Sequence, residues 1–451
     1  MRVFKLTLFS FVLFLFINIL FLHNSYAATA SSLNWQSVSS LPPANTQIYS
    51  NPVEYGGYVY LLGGTNVTGT YTINPTSYYA PIESNGQVGT WGTTSSLPEN
   101  VRGNSIVAYN GYIYSIGGGY VNSSGNFVQA PLYYSQVGPN GVLEPWQTTS
   151  SLPSFIGSST TIAYNGYVYS VGGCVENSNG CSYSNPVYYS KVGPGGILGL
   201  WQSTSSAPVD IGNSLASTFE YGGYVYTVGG SPTNNTNSTV TYVSYSQVGP
   251  NGVLEPWQST SSIPTALFAT SSVVYNGYIY TIGSNNGSNN DSASVYYSQI
   301  GSNGVVEPWN TATSIPTAEG ALATSDAFAY NGYFYFMFPI SVGGGMSGYT
   351  ISDGTSYYAQ IPSDLTSALS NSSSSSTTST SSTSTSSTSS TPTTSTSSSS
   401  STALPNTGFD LPTYILLLVG SLIVIFTIFS IYYSKAKVPF FSSKLRRKYS
   451  R

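Results

Sequence analysis

Residues Tyr109 to Gly118 read YNGYIYSIGG, and near-copies of this decapeptide recur down the chain. They begin at Tyr55 (YGGYVYLLGG), Tyr164 (YNGYVYSVGG), Tyr221 (YGGYVYTVGG), Tyr275 (YNGYIYTIGS) and Tyr330 (YNGYFYFMFP), at intervals of 54, 55, 57, 54 and 55 residues. A fixed period of this size marks a repeat architecture in which each unit covers its neighbour, so the 451 residues are read as one large domain with appendages. Around the decapeptide, SIVAY and YIYSI are short runs rich in β-branched and aromatic residues. Asn110-Gly111 between them tolerates the positive φ angles of a type I′ turn, which predicts a hairpin. LYYSQV and VLEPWQT, joined by GPNG, predict a second hairpin, with Pro139 presetting the turn and Gly141 taking the left-handed position.

Four antiparallel strands form a sheet that cannot bury both faces alone, whereas six such sheets around an axis cover one another. The expected fold is therefore all-β, a six-bladed β-propeller of four-stranded blades. Tyrosines at alternate positions, such as Tyr112 and Tyr114 or Tyr167 and Tyr169, fall on one side of each sheet and supply aromatic packing between blades. The tryptophans Trp35, Trp91, Trp146, Trp201, Trp257 and Trp309 mark the fourth strands. Trp35 precedes the first unit, and the last unit ends at SYYAQI (Ser356 to Ile361) without a fourth strand. LNWQSV is thus expected to complete the final blade and close the ring, leaving no exposed edge there.

The Gly-Gly doublet after the second strand (Gly63-Gly64, Gly117-Gly118, Gly172-Gly173, Gly229-Gly230), the strand tyrosines and a Trp opening the fourth strand resemble kelch repeats over about residues 33 to 362. These are the repeats of the galactose oxidase central domain. The resemblance implies a β-propeller, in a family that includes galactose oxidase, a bacterial sialic-acid mutarotase and many pure binding domains. Departures are Gly283-Ser284 in the fifth unit, no doublet in the sixth, and an Arg before the first strand only as Arg102. The copper site of galactose oxidase needs histidines. The only histidine here is His23, in the leader, which removes His-dependent nucleophilic catalysis and His-ligated metals from the mature chain; no cofactor is expected.

Charge excludes another class of partner. Between Ala28 and Asp410 the only cations are Arg102 and Lys191, against all 15 acidic residues, so a nucleic-acid surface is not expected. Cys174 and Cys181, in CVENSNGC, are most simply a local disulfide of an exported protein.

The first and third turns of every blade share one face of the disc and hardly vary: NG or GG, and GPNG, GPGG or GSNG. The connections on the other face, from second to third strand and from fourth strand to the next blade, are long and differ from unit to unit. Binding residues concentrate in variable loops on a rigid scaffold, so this loop face is the expected working face. Its blade-to-blade connections carry Gln47, Glu99, Arg102, Phe155, Asp210, Phe268, Glu319 and Asp326, a polar and aromatic mixture of the kind a glycan needs. The same residues also read as solvated loops or channel plugs. Arg102 could clamp an acidic sugar or pair with Glu99. The acids could furnish a glycosidase pair, but no motif selects any two, and Glu144, Glu255 and Glu307 recur identically in LEPW or VEPW as repeat features.

The flanks place the domain outside a cell. Residues 1–27 read as a signal peptide, with an uncleaved anchor as the alternative, and residues 28–364 as the propeller. Residues 365–403 form a Ser/Thr-rich disordered stalk. LPNTG at 404–408, an apolar span at 411–433 and a basic tail at 434–451 follow, with the N-terminus outside. That order resembles a sortase sorting signal carried by Leu404, Pro405, Thr407 and Gly408, which implies linkage of Thr407 to peptidoglycan; a permanent single-pass membrane anchor is the alternative. The expectation is a surface-anchored adhesion or binding module for a glycan or protein ligand. Its rivals are an exported carbohydrate-active enzyme of mutarotase or hydrolase type and a structural cell-envelope protein.

Overall fold

The computed structural model describes residues 32–38, 52–62, 76–101, 103–177, 180–183, 185–208, 216–230, 240–267, 270–285, 291–316, 326–337 and 356–362, with short strand pairs at 65–66 with 72–73 and 341–342 with 349–350. The leader, stalk, LPNTG motif, apolar span and basic tail lie outside these residues. No helix among the described residues is long and apolar enough to cross a membrane.

Six four-stranded antiparallel sheets are present, and in five of them the strands follow chain order from inner to outer. Blade 2 is typical: Ser105–Tyr109, Tyr112–Ile116, Leu132–Gln136 and Gln147–Thr149. The inner strands, Val53–Tyr55, Ser105–Tyr109, Thr160–Tyr164, Ser217–Tyr221, Ser271–Tyr275 and Asp326–Tyr330, contact one another in sequence, and the last touches the first, so the ring is closed. Blade 6 takes its outer strand from the beginning of the chain: Trp35–Ser37 pairs with Tyr357–Gln360 in the register Trp35↔Ala359. The expected closure is therefore observed.

The inner turn of blade 2 has Asn110 at φ 49 and Gly111 at φ 89, the two positive angles of the type I′ hairpin. In the outer turn Gly138–Val142, both Asn140 (φ 61) and Gly141 (φ 77) are left-handed. One expectation needs adjusting: the fourth strands begin one residue after the tryptophan, as in Gln147–Thr149 and Gln258–Ser259, and only Trp35 lies inside its strand. In four of these blades the Trp Nε1–H donates to the preceding blade, Trp146 to the Ser95 carbonyl (2.9 Å), Trp201 to Ser150 (2.9 Å), Trp257 to Ser205 (3.1 Å) and Trp309 to Ser261 (2.9 Å).

Tyrosine carries the packing between blades. Tyr60, Tyr114, Tyr169, Tyr226 and Tyr335 are fully buried. Each hydroxyl crosses to the next blade and donates to the outer-turn glycine carbonyl there: Gly141, Gly196, Gly252, Gly304 and Gly86, at 2.8–3.0 Å. The apolar ring is thereby buried without leaving its polar tip unpaired. The neighbouring Tyr two residues earlier lies flat against the same glycine; a Cβ on Gly252 would sit 2.7 Å from the Tyr167 ring. Gly252→Ala is therefore expected to cost about 2–3 kcal/mol, from overpacking added to the strain of φ +78. Gly166→Ala, at φ +85 with nothing within 4 Å, should cost only the backbone share of that, about 1 kcal/mol. Equal falls in Tm for the two variants would show that the tyrosine contact is not what demands glycine.

Candidate functional site

On the loop face, the connections are bound to the scaffold through main chain. The Gly118 N–H donates to the Ile156 carbonyl (2.8 Å) and the Gly230 N–H to the Leu267 carbonyl (2.9 Å), each carbonyl belonging to the connection into the following blade. A Cβ on Gly117 or Gly229 would meet that same carbonyl at 2.6 or 2.5 Å, and both glycines have positive φ. The Gly-Gly doublet thus exists to let a crossing loop touch the backbone. Blade 5 shows the converse. With Ser284 in place of the second glycine, its second and third strands run on as Tyr278–Asn285 and Asp291–Gln299, with a register shift between Ile282 and Ser284.

Local sheets reinforce this layer. Ile156–Gly157 pairs with Cys174–Asn177, which pairs with Gly180–Tyr183. Cys174 is disulfide-bonded, and the only other cysteine of the chain is Cys181 on the facing strand. Phe155 is half-buried, with its ring 5.5 Å from that of Phe127 on the blade 2 hairpin, and Gln129 Nε2 donates to the neighbouring Ser154 carbonyl at 3.3 Å.

Of the residues singled out on this face, Glu99 and Phe155 are described in full. Asp326 is placed at the start of the inner strand of blade 6, and Gln47, Arg102, Asp210, Phe268 and Glu319 lie outside the described residues. Glu99 sits near the buried Tyr133, whose hydroxyl is pushed up to about 12 by burial and, secondarily, by the Glu99 charge. Phe155 and Glu99 are not brought together: each serves its own side of the hairpin over blade 2. Among the described residues no three His, Cys, Asp or Glu side chains converge as a metal site.

On the opposite turn face an open groove of about 840 Å³ runs along blade 4. Tyr224 and Tyr245 line it beside the exposed polar side chains Gln247, Glu255 and Gln258, with Tyr164 at one end and Asn303 of blade 5 at the other. The Tyr245 hydroxyl donates to Gln258 Oε1 at 3.0 Å. Amides, one carboxylate and tyrosine rings can recognise hydroxyl-rich ligands, and a single carboxylate does not make an acid–base pair.

Sequence reasoning also passed over two half-buried acids. Glu54 and Glu220 stand one residue before the inner-turn tyrosine of blades 1 and 4, and burial pushes each carboxyl up to about 7, against the opposing effect of the Gly57 or Gly223 N–H it accepts (3.0 and 3.1 Å). A signal was available. Glu occupies this position only in the two units whose turn is Gly-Gly; the Asn-Gly units have Ala or Val. In blades 2 and 3 the corresponding Gly111 and Gly166 N–H groups donate instead to the hydroxyls of Tyr55 and Tyr109 from the preceding blade (2.7 and 2.8 Å).

The fold is similar to that of many solved chains, 472 of which match. One, titled "Structure of YjhT", superposes with a TM-score of 0.51 over 71% of this chain and 95% of its own, at 13% identity. At that identity the likeness is one of fold. No family model matches the chain, and no curated protein does.

Proposed function

We propose that this chain is a surface-displayed binding module: a kelch-type propeller, exported by its leader, held on the Ser/Thr stalk and anchored through the LPNTG motif, apolar span and basic tail, with its loop face turned to a glycan or protein ligand. The observation that carries the reading is the division of labour on that face between anchored and exposed positions. The connections into blades 3 and 5 are fixed by backbone bonds onto Gly118 and Gly230 and by the buried Ile156 and Leu267 side chains, which leaves the exposed positions beside these anchors free to differ between blades. A surface built this way has fixed loop positions and variable chemistry, as a recognition site requires. The leader and the low-charge ectodomain favour an extracellular setting, and the LPNTG motif favours transfer to a cell wall by a sortase over permanent residence in the membrane.

The test is an array of glycans and cell-surface proteins probed with the full-length chain. Binding to one ligand class should fall about tenfold or more in Arg102→Ala or Phe268→Ala, the loss of about 1.4 kcal/mol per contact. Undiminished binding after exchange of every connection between blades would overturn the assignment of this face.

A further inference from the structure

The loop face leaves one regularity of the molecule unused. On the turn face, blades 2, 4 and 5 repeat the same exposed side chains: Gln136, Gln247 and Gln299 at the end of the third strand, and Glu144, Glu255 and Glu307 after the outer turn. Exposed positions are where repeats are freest to diverge, and the loop face of these same blades has diverged. Folding does not require these side chains, as blade 3 demonstrates. There Lys191 and Gly199 occupy the two positions, and the Gly199 N–H still donates to the Lys191 carbonyl (2.9 Å) while the Ser190 hydroxyl still donates to the Gly199 carbonyl (2.8 Å). The same two bonds in blade 4 join Glu255 N–H to the Gln247 carbonyl (2.9 Å) and the Ser246 hydroxyl to the Glu255 carbonyl (2.5 Å). The fold uses the main chain at these positions and is indifferent to what the side chain is.

We propose that the turn face carries a second binding surface, the blade 4 groove together with the matching exposed side chains of blades 2 and 5, that takes the neutral hexose units of a glycan chain. Sugar hydroxyls both donate and accept, and the groove offers both partners: the Gln247 amide and the Gln258 Nε2 as donors, the Glu255 carboxylate as acceptor. Tyr245 engages Gln258 Oε1, which leaves the Gln258 amide nitrogen as the group directed to a ligand. The half-buried Tyr224 supplies aromatic surface for sugar C–H groups, while the buried Tyr245 holds Gln258 in place. A carboxylate at the same place on all three blades disfavours an anionic ligand, and Lys191, the one cation at an equivalent position, stands in a blade that lacks the glutamate. Because the blade 4 groove is open, single-site affinity is low. A chain long enough to reach the matching side chains of a second blade gains through effective concentration instead.

The decisive variant copies blade 3 into the others: Gln→Lys at 136, 247 and 299 with Glu→Gly at 144, 255 and 307, substitutions whose backbone consequences the molecule already accommodates. The full-length chain is applied to immobilised maltohexaose, cellohexaose and mannohexaose, with hexagalacturonate as the anionic control. Retention on at least one neutral matrix is expected, weakened roughly tenfold or more in the six-site variant at unchanged Tm, and unaffected by Arg102→Ala or Phe268→Ala. Absence of retention on all three neutral matrices, retention on hexagalacturonate alone, or retention that survives the six-site variant would overturn the proposal. Because the loop-face substitutions are scored on the same matrices, binding lost only with Arg102 or Phe268 supports the reading above and refutes this one.

Discussion

A chain lacking residues 32–38 is expected to lose the cooperative unfolding transition of the propeller altogether. Those residues are the outer strand of blade 6, and their contacts reach across the junction of the two chain ends. Leu33, Trp35 and Val38 are buried; the Leu33 N–H donates to Thr313 Oγ1 (3.1 Å), the Trp35 Nε1–H to the Thr313 carbonyl (3.0 Å), and the Val38 N–H to the Ser356 carbonyl (2.8 Å). Gln36 accepts the Tyr358 hydroxyl (2.7 Å), which itself accepts from Gln87 Nε2 of blade 1 (2.9 Å). Removing three large apolar side chains from the core costs roughly 5–8 kcal/mol at about 1.5–3 kcal/mol each, comparable with the whole stability of a domain. The deletion also exposes Tyr357–Gln360 as a bare edge, inviting association. The milder Trp35→Ala should keep the fold and lower stability by about 3–5 kcal/mol, because it removes a buried ring and its bond to the Thr313 carbonyl. Thermal unfolding by circular dichroism distinguishes the cases. A deletion variant that melts cooperatively within a few degrees of the parent would mean that the ring is held shut by something other than this strand.

That closure was legible in the sequence because it is an arithmetic property: six tryptophans, with the first lying ahead of the first repeat and the last repeat missing its own. The inner turns were legible for a local reason, since Asn-Gly needs no tertiary context to demand positive φ. What stayed hidden depends on which atoms arrive from elsewhere. The Gly-Gly doublet was visible as a pattern, but its cause, the Ile156 or Leu267 carbonyl passing within van der Waals range, comes from a connection some forty residues downstream. Identical Glu144, Glu255 and Glu307 read as repeat features, and the structure adds that blade 3 keeps the same main-chain bonds with Gly199 at that position. The loop face was chosen by the contrast between variable and invariant turns, and of its named residues Phe155 proves to lean on Phe127, a pairing that no spacing in the chain announces.

Glu54 and Glu220 lead to the second large effect, in which stability falls as pH rises through neutrality and Gln at both positions abolishes the fall. In the unfolded chain each carboxyl titrates near 4.5; in the folded protein burial holds it near 7, so between those values the native state binds the extra protons. The sign follows: the full contribution is present below about pH 4.5, declines across the interval and is gone above about pH 7, where two charged carboxylates remain inside. Each shift corresponds at most to about 3 kcal/mol, and since both side chains keep partial access to solvent, about 1–2 kcal/mol apiece is expected. The charge is also felt by neighbours: burial first, and then Glu54 or Glu220, raises the hydroxyls of Tyr330 and Tyr164. The substitution Glu→Gln keeps an acceptor for the Gly57 or Gly223 N–H and removes only the ionisation. Denaturant titrations of the parent and of the double variant should therefore give equal midpoints at about pH 4, with the variant more stable by about 2–4 kcal/mol at pH 8. Because the two glutamates stand three blades apart and share no partner, the single variants should each recover about half of that difference. A parent protein equally stable at both pH values, or a double variant weakened at pH 8, would show that these carboxylates are ionised in place and that the Gly57 and Gly223 bonds outweigh their burial.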